Sequence, residues 1–192
     1  EDGAVRTVVE VLSGWHNSKA YQRYVLPKVG TSFEVEVGVY WNENDTVLKM
    51  EIPTLLEKGQ YQGQVMFGHD TLRQNGAEVV AQKWNALTED GRMFSVLNKG
   101  SHGSSEKDGT IGLTLLHSAG YSADGDFERT LREKRHTVRM EQGERLFSFK
   151  VEAGKTEELE AVLDQKAQVY NEEPYAFAFS ASGTGKKAGS RR

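Results

Sequence analysis

The chain has 192 residues, 37% hydrophobic and 27% charged, a profile of a soluble globular domain or of a piece of something larger. Its net charge of −4, from 28 acidic against 24 basic residues, argues against a nucleic-acid partner, which needs a basic face. With no cysteine, disulfides, thiolate nucleophiles and Cys-based metal sites are excluded, and no apolar run approaches the roughly 18 residues of a membrane span.

The opening EDGAVRTVVEVL (1–12) lacks an initiator Met and has no signal-peptide pattern. It reads as the start of an internal fragment whose targeting is not visible, with a strand over 5–12. In FEVEVGVYW (33–41), Phe33, Val35, Val37, Val39 and Trp41 fall on one face and Glu34, Glu36 and Tyr40 on the other. That period of two predicts a strand with one dry side and one wet side. NEND has the composition of a four-residue turn, and TVLKMEI (46–52) follows it, so 33–52 is predicted to form a hairpin.

Further strands are predicted at 61–67, 77–87, 93–97, 110–116, 145–151 and 175–180. EDGR (89–92) carries Asp-Gly and should join the strands ending at Leu87 and starting at Met93. SVLNKGSHGSSEKDG (95–109) is by composition a turn between two strands, or else a loop that presents Asn98 and His102 to a ligand. Residues 118–144 are polar and irregular, a long connection or a mobile lid.

One segment breaks the period. KTEELEAVLDQKAQVYN (155–171) spaces Leu159, Val162, Leu163, Ala167 and Tyr170 by threes and fours, which predicts a short surface helix. Thr156 is placed to cap it, and Glu157 and Glu158 suit its positive end. Twenty glycines between short strands favour an all-β sandwich. Residues 1–181 read as a single β-sandwich domain and 182–192 as a flexible basic tail.

The usual catalytic signatures are missing. His16, His69, His102, His117 and His136 show neither HxH nor HExxH spacing. His69 and Asp70 are neighbours, yet on a strand they point to opposite faces. There is no GxSxG elbow, and SGTGKKAGS (182–190) lacks the Walker spacing. With 28 acidic residues, the sequence cannot single out the carboxylate pair that glycoside hydrolysis requires. Trp15, Trp41, Trp84, Tyr40, Tyr61 and Tyr121 are candidate stacking surfaces for sugar rings, with the core as the alternative for each. Trp41 continues the apolar face of its strand, and Trp84 shares a face with Val80 and Ala86.

Six stretches carry a resemblance. GAVRTVVEV (3–11), VYWNENDTVLKMEIPT (39–54), FGHDTLRQNGAEVVAQKWNAL (67–87), VLNKGSHGSSEKDGTIGLTLLHS (96–118), EQGERLFSFKV (141–151) and YNEEPYAFAFSASGTGKKAGS (170–190) follow in order. Together they resemble the C-terminal β-domain of glycoside hydrolase family 38 α-mannosidases, the bacterial members most closely. Each stretch alone is weak; six in order are fairly specific. Three departures stand out. The family commonly has Asp after Asn, Tyr-Gly-Tyr, and an Arg in Leu-Leu-Arg-Ser, where this chain has Lys99, His102-Gly103-Ser104 and His117.

The resemblance implies an antiparallel supersandwich of the galactose-mutarotase-like type. It implies a parent enzyme that hydrolyses terminal α-mannosides, whose zinc ligands and nucleophile lie in a catalytic domain absent from this chain. No catalytic residue, metal or cofactor is then expected within residues 1–192. The implied partners are the catalytic and helical domains of the same parent chain and a mannoside substrate, with an oligomer open. The implied location is the bacterial cytoplasm. Asn98, His102 and Trp84 are the substrate-contact candidates. Two other readings stay open: a free-standing carbohydrate-binding module, and a mutarotase-like epimerase using His102 or His117 with a carboxylate. A plain interaction domain is the bland alternative.

Overall fold

The computed structural model describes residues 1–120, 138–172 and 174–178. Among them run β1 (Arg6–Trp15), β2 (Ser18–Pro27), β3 (Ser32–Trp41), β4 (Val47–Pro53), β5 (Gln60–Val65), β6 (Gly68–Thr71) and β7 (Val79–Val80). β8 (Trp84–Glu89), β9 (Arg92–Asn98), β10 (Gly103–Lys107), β11 (Thr110–His117), β12 (Gly143–Lys155) and α1 (Thr156–Asn171) complete the order. The larger sheet has the order β1-β2-β3-β12-β9-β8-β5-β6, and the smaller one β4-β11-β10-β7. The predicted all-β sandwich with one helix is what forms.

Alternation along the strands builds three layers. Val35, Val37, Val39 and Trp41 of β3, Leu87 of β8, Val96 of β9 and Phe149 and Val151 of β12 meet Met50, Ile111, Leu113 and Leu116 of the smaller sheet. On the opposite face of the larger sheet, Trp84 and Ala86 of β8 and Met93 and Leu97 of β9 meet Leu159, Leu163 and Ala167 of α1. Every second residue of β8 and β9 therefore serves a different core.

Two Asp-Gly turns fix hairpin registers. Glu89 pairs with Arg92, and Asp90 and Gly91 hold φ of 48° and 73°, the left-handed pair that a two-residue hairpin turn needs. Lys107 pairs with Thr110 around Asp108 and Gly109, at 50° and 78°.

Several expectations are revised. Residues 33–52 are not a hairpin: β3 bonds to β2 and β12, while β4 bonds to β11 in the other sheet. Both edges of β3 are taken, so the chain crosses between sheets at Asn42–Thr46. The predicted strand 77–87 divides into β7 and β8, one in each sheet. The stretch 95–109 is more than a turn, because it contains β10. Residues 174–178 carry no strand, and the rest of the strand predicted at 175–180 lies outside the described residues, as do 121–137 and the predicted tail 182–192. Thr156 does not cap α1; Lys155 holds the cap position without a side-chain bond. The Thr156 N–H instead donates to the Gly91 carbonyl at 2.9 Å, which ties the start of the helix to the β8–β9 turn.

A polar trio joins the two sheets. The Tyr61 hydroxyl donates to Ser104 Oγ at 2.8 Å, and Asn85 Nδ2 donates to the same oxygen at 3.2 Å. Burial is the main cause that pushes the Tyr61 phenol well above its ordinary range. Burial, with Glu34 and Glu36 nearby, raises Tyr170 to about 12. For a phenol with a raised native pKa, stability is complete below the unfolded value of about 10 and falls as pH rises toward the native value. Urea melts should therefore show stability dropping between about pH 10 and 12, with two tyrosines resisting ionisation in a 295-nm titration of the native protein. If every tyrosine ionises near pH 10 without unfolding, this account of the two phenols fails.

Candidate functional site

Asn98 ends β9, and His102 immediately precedes β10. The Lys99–Ser101 connection between them turns through Gly100 at φ 91°, a left-handed position that favours glycine. Both side chains converge on one backbone carbonyl, that of Gln82. Asn98 Nδ2 donates to it at 2.9 Å, and His102 Nδ1 lies 3.0 Å from it. A carbonyl only accepts, so Nδ1 carries the proton and Nε2 is the acceptor of the neutral ring. His102 is exposed and Asn98 is 1% exposed.

Gln82 sits where the chain crosses from β7 to β8, and the crossing is held from several sides. Ala81 N–H donates to the His102 carbonyl at 3.0 Å, Gln82 N–H to the Gln64 carbonyl at 2.8 Å, and Asn98 N–H to the Lys83 carbonyl at 2.9 Å. Asn171, at the end of α1, donates from Nδ2 to the Asn98 carbonyl at 3.0 Å. One acceptor is left over: Asn98 Oδ1 is buried with no hydrogen-bond partner. An orphaned buried acceptor costs on the order of 1–3 kcal/mol.

Trp84 does not join this site. It lies two residues beyond Gln82 but is 3% exposed and packed under α1. Its indole Nε1 donates to Asp164 at 2.7 Å, and its ring lies 5.8 Å from that of His69. The indole therefore offers no face to a ligand. Trp41 is core, at 3% exposed, and Tyr61 is fully buried. Trp15 stacks between His16 and Trp41, with centroids at 4.2 and 5.6 Å. Tyr121 is outside the described residues.

A mutarotase-type acid and base would need His102 or His117 against a carboxylate. Among the described residues, the His–carboxylate approaches are His16 to Glu43 at 3.6 Å and His69 to Glu160 at 3.8 Å. His117 meets Glu141 through its backbone N–H, not its ring. Among the described residues no group of three His, Asp or Glu could hold a metal. No helix among them is long and apolar enough to cross a membrane.

Sequence reasoning missed Gln82, Gln64 and Asn171. Gln82 acts through its carbonyl, which any residue has, so no side-chain signal marks it.

The family model for the glycosyl hydrolases family 38 C-terminal domain matches residues 1–125. Two solved structures share the fold. One is an α-mannosidase from Enterococcus faecalis V583, with TM-score 0.61 and 15% identity over 78% of this chain. The other is a protein in the glycosyl hydrolase family 38 from Enterococcus faecalis, with TM-score 0.63 and 19% identity over 77% of this chain. The chain spans 17% of the length of each. No curated protein matches it in sequence.

Proposed function

Because the chain belongs to the glycosyl hydrolases family 38 C-terminal domain family, we propose that it is the non-catalytic β-sandwich domain of a longer α-mannosidase. The observation that carries this is the family match over residues 1–125, set beside a fold shared with two proteins of which this chain spans 17%. In this reading, hydrolysis of terminal α-mannosides takes place in another domain of the parent. Zinc, where the parent uses it, is bound there as well. A cytoplasmic location and the catalytic and helical domains as partners belong to the same proposal, and family membership alone supports them.

The domain's contribution is the loop at Asn98 and His102. The exposed His102 imidazole is the group there that meets substrate or a neighbouring domain, and Asn98, 1% exposed, holds the same Gln82 carbonyl beneath it. The departures at Lys99 and Ser104 leave those two as the residues to test.

Purified residues 1–192 are expected to show no hydrolysis of an aryl α-mannoside above buffer, with or without added zinc. Zinc-dependent turnover by this chain alone would overturn the assignment of catalysis to another domain.

A further inference from the structure

β1 stands at one end of the larger sheet, and its ladder with β2 runs from Arg6–Pro27 to Trp15–Ser18. Its other edge is taken at one point, by the first residue of the chain. The Val8 N–H donates to the Glu1 carbonyl at 2.8 Å, and the Glu1 ammonium donates to the Val8 carbonyl at 2.9 Å. That reciprocal exchange is the hydrogen-bonded pair of an antiparallel ladder, and a peptide N–H in place of the ammonium would make the same bond. Between the two residues the chain reverses tightly. The Gly3 N–H donates to the Arg6 carbonyl at 2.9 Å, and Asp2 bridges to Thr7. The Asp2 carboxylate accepts from Thr7 Oγ1 at 2.6 Å and from the Lys28 ammonium. Successive strand residues turn their N–H and C=O groups to opposite edges, so Glu10, Leu12 and Gly14 present theirs on the same side as Val8. Among the described residues no strand pairs with that edge.

From this pairing we infer that the residues immediately before Glu1 in the parent protein form a further strand, antiparallel to β1, which continues the larger sheet into the preceding part of the parent. The inference rests on the reading of this chain as one domain of a longer protein. Glu1 opposite Val8 sets the register. The first upstream residue then lies opposite Val9, the third opposite Val11 and the sixth opposite Gly14. The side chains support the same occupant. The register carries Val9 through Tyr24 to Val35, and Val11 through Gln22 to Val37, and residues paired in this way share a face. Val35 and Val37 lie in the core between the sheets, whereas Val9 and Val11 are 46% and 43% exposed. An extended segment with apolar side chains at its first and third upstream positions covers both valines. The junction is then a hydrogen-bonded sheet and not a loose linker, and it fixes the orientation of this domain against what precedes it.

The test is a cysteine pair in the full-length parent, since residues 1–192 hold no cysteine. Val11 and the third upstream residue face each other at a non-hydrogen-bonded position, where Cα atoms lie about 4.5 Å apart, within the reach of a disulfide. Val11→Cys combined with cysteine at that upstream position is expected to cross-link on mild oxidation, read by peptide mapping without reductant. Val11→Cys combined with cysteine one position nearer Glu1 is not. A second measurement needs no substitution. Amide exchange at Glu10, Leu12 and Gly14 should be at least about tenfold slower in the parent than in residues 1–192 alone, the protection of a ladder bond. Equal exchange in the two proteins, cross-linking in the shifted pair alone, or a gene that encodes fewer than three residues before Glu1 would overturn the inference. Hydrolysis of an aryl α-mannoside by the parent is assayed separately: its absence removes the glycosidase reading and leaves the strand standing.

Discussion

Trp84→Ala is expected to destabilise the domain by about 3–5 kcal/mol and to release α1 from the sheet. The indole is 3% exposed and packs with Met93, Leu97, Leu159 and Leu163. Truncation removes that apolar contact and leaves a cavity beneath the helix. It also deletes the 2.7 Å bond to Asp164, which among the described residues then keeps Gln64 Nε2 at 2.8 Å. The helix has little support of its own: it spans 16 residues, has no side-chain N-cap and carries no basic residue in its last turn. Isolated helices of that length are marginal in water, so α1 depends on its docked face. Urea denaturation gives the stability change, and hydrogen exchange at 156–171 reports the release. A loss below about 1 kcal/mol with unchanged protection of α1 would show that Trp84 does not anchor it. Had Trp84 been a sugar platform, the same substitution would abolish binding and leave stability nearly untouched.

Phe149→Ala should cost a comparable amount, about 3–5 kcal/mol, without selective loss of the helix. Phe149 is fully buried between the two sheets. In the ladder it pairs with Val35 on one side and Asn98 on the other. The cavity opens at the middle of the larger sheet, where β-strand neighbours on both sides restrict collapse. Phe149→Leu conserves most of the volume and should lose less than about 1.5 kcal/mol. Equal losses for Leu and Ala would mean that ring shape, not volume, sets the cost. Against a total stability typical of such domains, about 5–15 kcal/mol, either alanine substitution removes a large share.

The parts of the fold legible in the sequence were those where burial follows side-chain polarity. β3 alternates cleanly, Asp90-Gly91 announces its own turn, and the Leu159, Leu163, Ala167 spacing marks the helix. β10 was invisible because its buried residues are Ser104, Ser105 and Glu106, which hide inside by hydrogen bonding. Ser104 holds Tyr61 and Asn85, Ser105 takes a bond from Lys49, and Glu106 accepts from Gly109 N–H. NEND showed that the chain turns but not which strands it joins, since pairing partners are decided by distant segments. The same holds for the site. Asn98 and His102 stood out as polar residues in a loop. Trp84 was ambiguous because its partner Asp164 lies on a helix 80 residues later.

The position of β12 also dictates how the larger sheet comes into being. β1, β2 and β3 pair among themselves, and so do β5, β6, β8 and β9, but only β12 bonds to both groups, through β3 and β9. During synthesis, the edges of β3 and β9 that β12 joins lack that partner until residues 143–155 are made. Edges of that kind recruit foreign strands, and closure through such long-range pairing is slow. The larger sheet is thus most vulnerable to misassembly just before β12 arrives, and a chain cut short of β12 would keep local hairpins without joining β3 to β9.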